Sequence, residues 1–171
     1  GFLREAEAQA DRSDVATIAW LHHAHARVLV DRGRLRDAEG RIRKAVAGYR
    51  RAKDSYGEAR ARLLRVHIAE ARSDTASGLR LAQEARAFAA RHGHRALAGM
   101  ALVRRGRIYV HAGKNEPAVS ALRTALAEFT RMGDPHGRFL AHYWLSMAYD
   151  ELADGDRARF EAQSAVHFSG F

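Results

Sequence analysis

Residues 113–129, GKNEPAVSALRTALAEF, return three times elsewhere in the chain at offsets of forty. The copies are GRLRDAEGRIRKAVAGY (33–49), SDTASGLRLAQEARAFA (73–89) and ADGDRARFEAQSAVHFS (153–169). Three columns hold only small residues in every copy: Gly33, Ser73, Gly113 and Ala153; Ala38, Gly78, Ala118 and Ala158; Ala45, Ala85, Ala125 and Ala165. Self-similarity at a fixed period of about 20–50 residues marks a repeat architecture. Small side chains at fixed places have a packing use, because they let one helix backbone approach another. All three columns are therefore read as close helix–helix contacts.

Working outward, the chain has only two prolines, and its apolar residues recur at spacings of three and four almost throughout. That periodicity predicts an all-α protein. First helices are expected near 16–31, 57–72, 96–112 and 137–152, and second helices near 35–52, 75–92, 115–132 and 155–168. A leading helix is expected over 2–11. Turn chemistry sets these limits. Asn115-Glu116-Pro117 reads as a cap followed by proline in the first turn, with Asp74-Thr75 and Asp154-Gly155-Asp156 in the equivalent places. Gly93 and Gly133 read as helix ends, with Pro135 beyond the latter. Each forty-residue unit is then a pair of amphipathic helices that cannot bury their apolar faces alone.

The segment ALVRRGRIYVHAGKNEPAVSALRTALAEF (101–129) resembles the tetratricopeptide repeat (TPR) family. The family's succession of Gly, Tyr, Gly, Ala and Ala is met by Gly106, Tyr109, Gly113, Ala118 and Ala125. Tyr149, Ala158 and Ala165 carry the resemblance in the fourth unit, and Gly33, Ala38 and Ala45 carry it in the first. The second unit is weakest, with Ser73 and Gly78. A period of forty exceeds the family's common length of about 34 residues. It is similar to the longer variety found in bacterial maltose-activator-like and antibiotic-regulatory transcriptional regulators and in animal polarity adaptors. The resemblance implies a right-handed α-superhelix, a solenoid of about four helix-turn-helix repeats (about 16–55, 56–95, 96–135 and 136–171) plus the leading helix. It implies a single TPR domain over 1–171 with no catalysis and no cofactor.

Composition narrows the class further. The 171 residues are 47% hydrophobic and 29% charged, enough for a sizeable core. No run of about 18 apolar residues offers a membrane span, and the start, GFLREAEAQADR, has neither a signal pattern nor an initiator Met. A trimmed fragment of a longer protein is expected. Zero cysteine excludes disulfides and thiol chemistry and fits a cytoplasmic setting. A net charge of +9 raises nucleic acid as a partner. Yet only Lys44, Lys53 and Lys114 are lysines among the 29 basic residues, a skew typical of GC-rich coding. The arginines are spread along the chain among Asp and Glu, which predicts a solvated surface and no direct nucleic-acid binding.

Three histidines crowd into WLHHAHARVLV (20–30), and imidazole is the commonest metal ligand. Placed on a helix, His22 and His25 share a face directed at the partner helix, and His23 points elsewhere. The rings therefore diverge, no cysteine exists, and no acidic residue in the segment completes a ligand set. No metal site is expected. HAGKN (111–115) has one glycine and no preceding strand, so it is no phosphate loop. No Ser–His–Asp spacing stands out.

The TPR resemblance also implies that first helices line a concave groove for a partner segment. On that geometry one column runs Trp20, Arg60, Met100, Leu140, and a second His23, Leu63, Val103, Tyr143. A third holds Ala24, Leu64, Arg104 and Trp144, and the deepest Arg27, His67, Arg107 and Met147. Arg104 and Arg107 stand three apart and could grip a carboxylate together, with Tyr143, Trp144 and Met147 supplying apolar surface. The expected partner is a protein or peptide with an acidic group beside apolar side chains. No Asn occupies these columns, so the family's chaperone-tail clamp is not expected. The leading function is an interaction module of a bacterial signalling or transcriptional regulator. The alternatives are a sensor of a small ligand or peptide pheromone, and a scaffold that self-associates through the C-terminal repeat, where Val166, Phe168 and Phe171 are expected to be exposed.

Overall fold

The computed structural model describes residues 14–169, so the expected leading helix at 2–11 and Phe171 lie outside the described residues. Among the described residues there are eight helices and no strand. They are α1 (Val15–Asp31), α2 (Leu35–Arg51), α3 (Ser55–Ala71), α4 (Thr75–Arg91), α5 (Arg95–His111), α6 (Asn115–Met132), α7 (Pro135–Glu151) and α8 (Gly155–Phe168). The forty-residue spacing survives in the helix starts, at Val15, Ser55, Arg95 and Pro135 and at Leu35, Thr75, Asn115 and Gly155.

Aspartate side chains cap several of these starts. Asp14, Asp54, Asp134 and Asp154 each accept a hydrogen bond from the backbone N–H three residues on, at 2.8–3.1 Å, the standard capping arrangement. Asn115 departs from its expected role. It is the first residue of α6, and the cap position belongs to Lys114, which makes no side-chain capping bond.

Every turn between helices carries one residue with positive φ, namely Gly33, Lys53, Ser73, Gly93, Gly113, Gly133 and Ala153. This corrects the reading of the first small column. A methyl group at Gly33 or Gly113 would meet nothing within 4 Å, so close approach does not keep that column small. The column instead marks a left-handed turn, which favours Gly33 and Gly113 and which Ser73 and Ala153 adopt with a β-carbon. The other two columns are helix contacts as expected: Ala38, Ala45, Ala85, Ala118 and Ala125 are fully buried or nearly so.

The chain divides into two compact units, residues 1–74 and 75–171, and the division falls inside the second repeat. In unit 1, Ala19 and Ala26 of α1 meet the alanine columns of α2, and a β-carbon on Gly48 would stand 2.7 Å from that of Ala19. Ile42 and Tyr49 of α2 and Ala61, Leu64 and Ile68 of α3 complete this core. His23 belongs to it and not to an open groove. It shares the face of Ala19 and Ala26, is buried, and meets Tyr49 edge-on with centroids 6.2 Å apart. Burial, then the nearby Arg60 and Arg27 guanidiniums, lower its pKa to about 4. Burial also raises the Tyr49 hydroxyl above its ordinary value, with Asp54 adding to the effect.

Unit 2 is built around Phe129 of α6, which is fully buried. Its ring fills the space left by two glycines, Gly99 on α5 and Gly137 on α7; a β-carbon at Gly99 would stand 2.7 Å from the ring. Leu122, Leu145 and Tyr149 pack in the same cluster. Between α7 and α8, the buried His142 and Glu161 side chains pair at 2.5 Å. Phe168 is not exposed as expected. It stacks on His142 with centroids 5.8 Å apart, and the Arg138 guanidinium lies 3.9 Å above its ring. Val166 is exposed as expected, and Phe160 joins it.

Two outcomes follow for stability. Phe129→Ala should cost about 3–5 kcal/mol and Gly99→Val about 1–3 kcal/mol, against roughly 0.5 kcal/mol or less for the exposed Arg131→Leu; urea denaturation measures all three. His23 takes its proton more readily in the unfolded chain than in the folded one. The His23 contribution to stability should therefore be flat above pH 6.5 and fall as the pH drops from 6.5 towards 4, by on the order of 3 kcal/mol in all. In His23→Leu that part of the pH dependence should vanish, and a slope identical to the parent's between pH 6.5 and 4 would place the titration elsewhere.

Candidate functional site

The side chains with recognition chemistry gather on α5 and α7 of unit 2. Helical spacing puts Arg104, Arg107 and His111 on one stripe of α5, at intervals of three and four. On α7 the same spacing aligns His136, Phe139, Tyr143 and Met147, with Trp144 beside them. Packing joins the two stripes. The Arg107 guanidinium lies 5.5 Å from the Trp144 ring centroid, and His111 meets the same indole edge-on at 5.5 Å. Trp144 meets Tyr143 at 5.2 Å with the rings nearly perpendicular, and Tyr143 lies 6.2 Å from Phe139.

Burial grades across this surface. Met100 is half-buried against the Phe129 cluster, and Arg104, Arg107 and Trp144 are also half-buried. Tyr143 and Met147 are 43% and 40% exposed, unusual for large apolar side chains in a packed helix. A guanidinium within about 6 Å of an indole ring is attracted to its face and keeps its N–H donors in its own plane. That geometry suits a planar carboxylate next to apolar surface.

The other groove residues named from sequence lie in unit 1. Trp20 is 56% exposed and Arg27 is exposed two helical turns along α1. Leu63 and His67 of α3 are half-buried, and the His67 imidazole is 3.7 Å from Glu70. His23 is in the core. Its column, with Leu63, Val103 and Tyr143, faces open solvent only at Tyr143; Val103 is 4% exposed and sits in the Phe129 cluster. A column on the flank of a first helix is covered wherever a neighbouring first helix packs over it, which sequence spacing alone does not reveal.

His111 and Phe139 were not among the residues singled out from sequence. The signal was present: His111 follows Arg107 by four, and Phe139 precedes Tyr143 by four. The contact of Arg107 with Trp144 joins the two stripes across the pair of helices. The His22 face does meet the partner helix, with Arg41 of α2 at 3.2 Å from its Nδ1. Among the described residues no three His, Cys, Asp or Glu side chains gather where they could hold a metal ion, and no helix is long and apolar enough to cross a membrane.

No family model matches the chain, and no curated protein matches it. Several solved structures do. One is aspartyl phosphate phosphatase F from Bacillus subtilis, with a TM-score of 0.86 at 16% identity over 98% of this chain and 44% of that one. BtubC from P. vanneervenii gives 0.81 at 19% identity over 98% and 69% of the two chains. A signal transduction ATPase with a tetratricopeptide repeat sensor, from Pyrococcus horikoshii, gives 0.80 at 19% identity over 97% of this chain and 25% of that one. The chain thus spans under half of two of these proteins. At such identities the likeness is one of fold, and the fold is the all-α helical repeat of tetratricopeptide-like proteins.

Proposed function

We propose that this chain is a non-catalytic protein-interaction module that binds an acidic, partly apolar peptide segment on the α5–α7 surface. The observation that carries the reading is the Arg107 guanidinium held over Trp144, beside the exposed Tyr143 and Met147. Trp, Tyr and Arg are the residue types that dominate binding energy at interfaces. The guanidinium meets the segment's carboxylate, Arg104 strengthens the local field, and the aromatic and thioether groups take its apolar side chains. The resemblance of the repeats to bacterial regulators suggests a signalling or transcriptional context in the cytoplasm.

Peptide display against the immobilised protein tests this. Selected sequences should place Asp or Glu next to Leu, Phe or Trp. Arg107→Ala and Trp144→Ala should each weaken the best peptide by about 2 kcal/mol, roughly thirtyfold, without a change in circular dichroism. Arg104→Ala with Arg107→Ala should also flatten the salt dependence of binding. Unchanged affinity in the double variant would reduce these arginines to solvated charge.

A second reading, self-association, is favoured by α8. Ile42, Ala82 and Leu122 are buried and Val46 nearly so, whereas their forty-residue equivalents on α8, Ala162 and Val166, are exposed, with Phe160 64% exposed nearby. Because Phe168 folds back on its own repeat, Val166 is the residue to alter. Light scattering should show concentration-dependent association that is lost in Val166→Glu; a parent protein monomeric up to about millimolar concentration would end this reading.

A further inference from the structure

We infer that a cavity of about 420 Å3 in unit 2, far along the helices from the Trp144 surface, binds a small organic anion. It lies where the end of α4, the start of α5 and the end of α6 meet, and its volume falls within the range of small-molecule sites, about 300–1,000 Å3. Three guanidiniums surround it, those of Arg86, Arg95 and Arg131, against a single carboxylate, Glu128. Glu128 is committed to Arg86 at 3.4 Å. Arg131 donates only to the backbone carbonyl of Ala127, and among the described residues neither Arg95 nor Arg131 pairs with a carboxylate. The cavity therefore carries uncompensated positive charge on forked donors suited to two oxygens at once.

Its floor decides what kind of anion fits. Ala98 and Met132 are apolar. A second space of about 290 Å3 adjoins it, sharing Arg86 and lined by Ala82, Ala101 and Leu102. A bare inorganic ion would leave this apolar wall uncovered. The fitting ligand has a carboxylate or phosphate head at Arg95 and Arg131 and an apolar body about the size of an aromatic ring beyond it.

The local sequence is consistent with this. The forty-residue equivalents of position 94 are Asp14, Asp54 and Asp134, each of which caps its helix; α5 has His94 and no side-chain capping bond. The positive end of α5 thus opens beside the arginines and adds to their attraction for an anion. An aspartate at position 94 would bring its own carboxylate to the start of α5.

Calorimetric titration tests the assignment with three probes: phenyl phosphate, 3-phenylpropionate and inorganic phosphate. At least one aromatic anion should bind saturably at a single site, about tenfold or more tighter than inorganic phosphate. Which of the two binds tighter identifies the head group. Arg95→Ala and Arg131→Ala should each weaken binding about fivefold or more. His94→Asp should weaken it comparably while leaving the fold intact by circular dichroism. Arg36→Ala, a charge removed from unit 1, should change nothing. The inference fails if neither aromatic anion saturates a site by about 10 mM, or if Arg36→Ala weakens binding as much as Arg131→Ala, which would mean diffuse attraction to a basic protein.

Discussion

The contact between paired helices at the alanine columns governs the rest of this structure. Ala38, Ala45, Ala118 and Ala125 have no exposed surface, and their partners come equally close, as Gly48 does against Ala19. Helices this near must be joined by turns too short for an ordinary backbone, so each junction takes a residue through positive φ. With turn and contact both fixed, each pair has one register. The flanking side chains are then assigned, without further choice, to core, to neighbour or to solvent.

That determinism explains what was legible in the sequence. Each of the eight described helices starts within two residues of its expected place, because caps, turns and apolar spacing all repeat with the forty-residue period. What repeats in sequence did not always repeat for the expected reason. The Gly33, Ser73, Gly113, Ala153 column was read as packing, and what its members share is a left-handed turn. A small residue looks the same in either role. His23 and Phe168 went wrong in a different way. Each lies on the flank of a helix, where exposure depends on what packs beside it, and each is drawn inward by a contact from another element: Tyr49 for His23, Arg138 and His142 for Phe168.

The candidate surface was legible in part. Arg107, Trp144, Tyr143 and Met147 were identified by applying first-helix geometry to the columns. Their mutual arrangement was not, since the approach of Arg107 to the Trp144 ring depends on how closely α5 and α7 pack. The distribution of charge tells a related story. Acids inside the helical arrays are shared between arginines, as Glu58 is by Arg50 and Arg62 and Glu39 by Arg43 and Arg65. The excess of +9 therefore rests on arginines outside such groups. Arg95 and Arg131 are two of these, exposed at the rim of a cavity where their fields converge.

The glycines that make room for Phe129 have a cost in the helices that carry them. Gly99 lies within α5 and Gly137 in the first turn of α7, and α5 also carries Gly106, which makes room for Leu122; an interior glycine weakens a helix by about 1 kcal/mol relative to alanine. At 17 residues α5 is only slightly longer than the roughly 12–15 below which an isolated helix is marginal in water even with good formers, and it carries two such glycines. α5 is therefore poorly able to form before α6 presents its phenyl ring, and α6 has no enclosed place for that ring without α5 and α7. The three helices depend on one another for their existence as helices. In a repeat protein, where folding can in principle proceed unit by unit, this ties one and a half repeats into a single cooperative step.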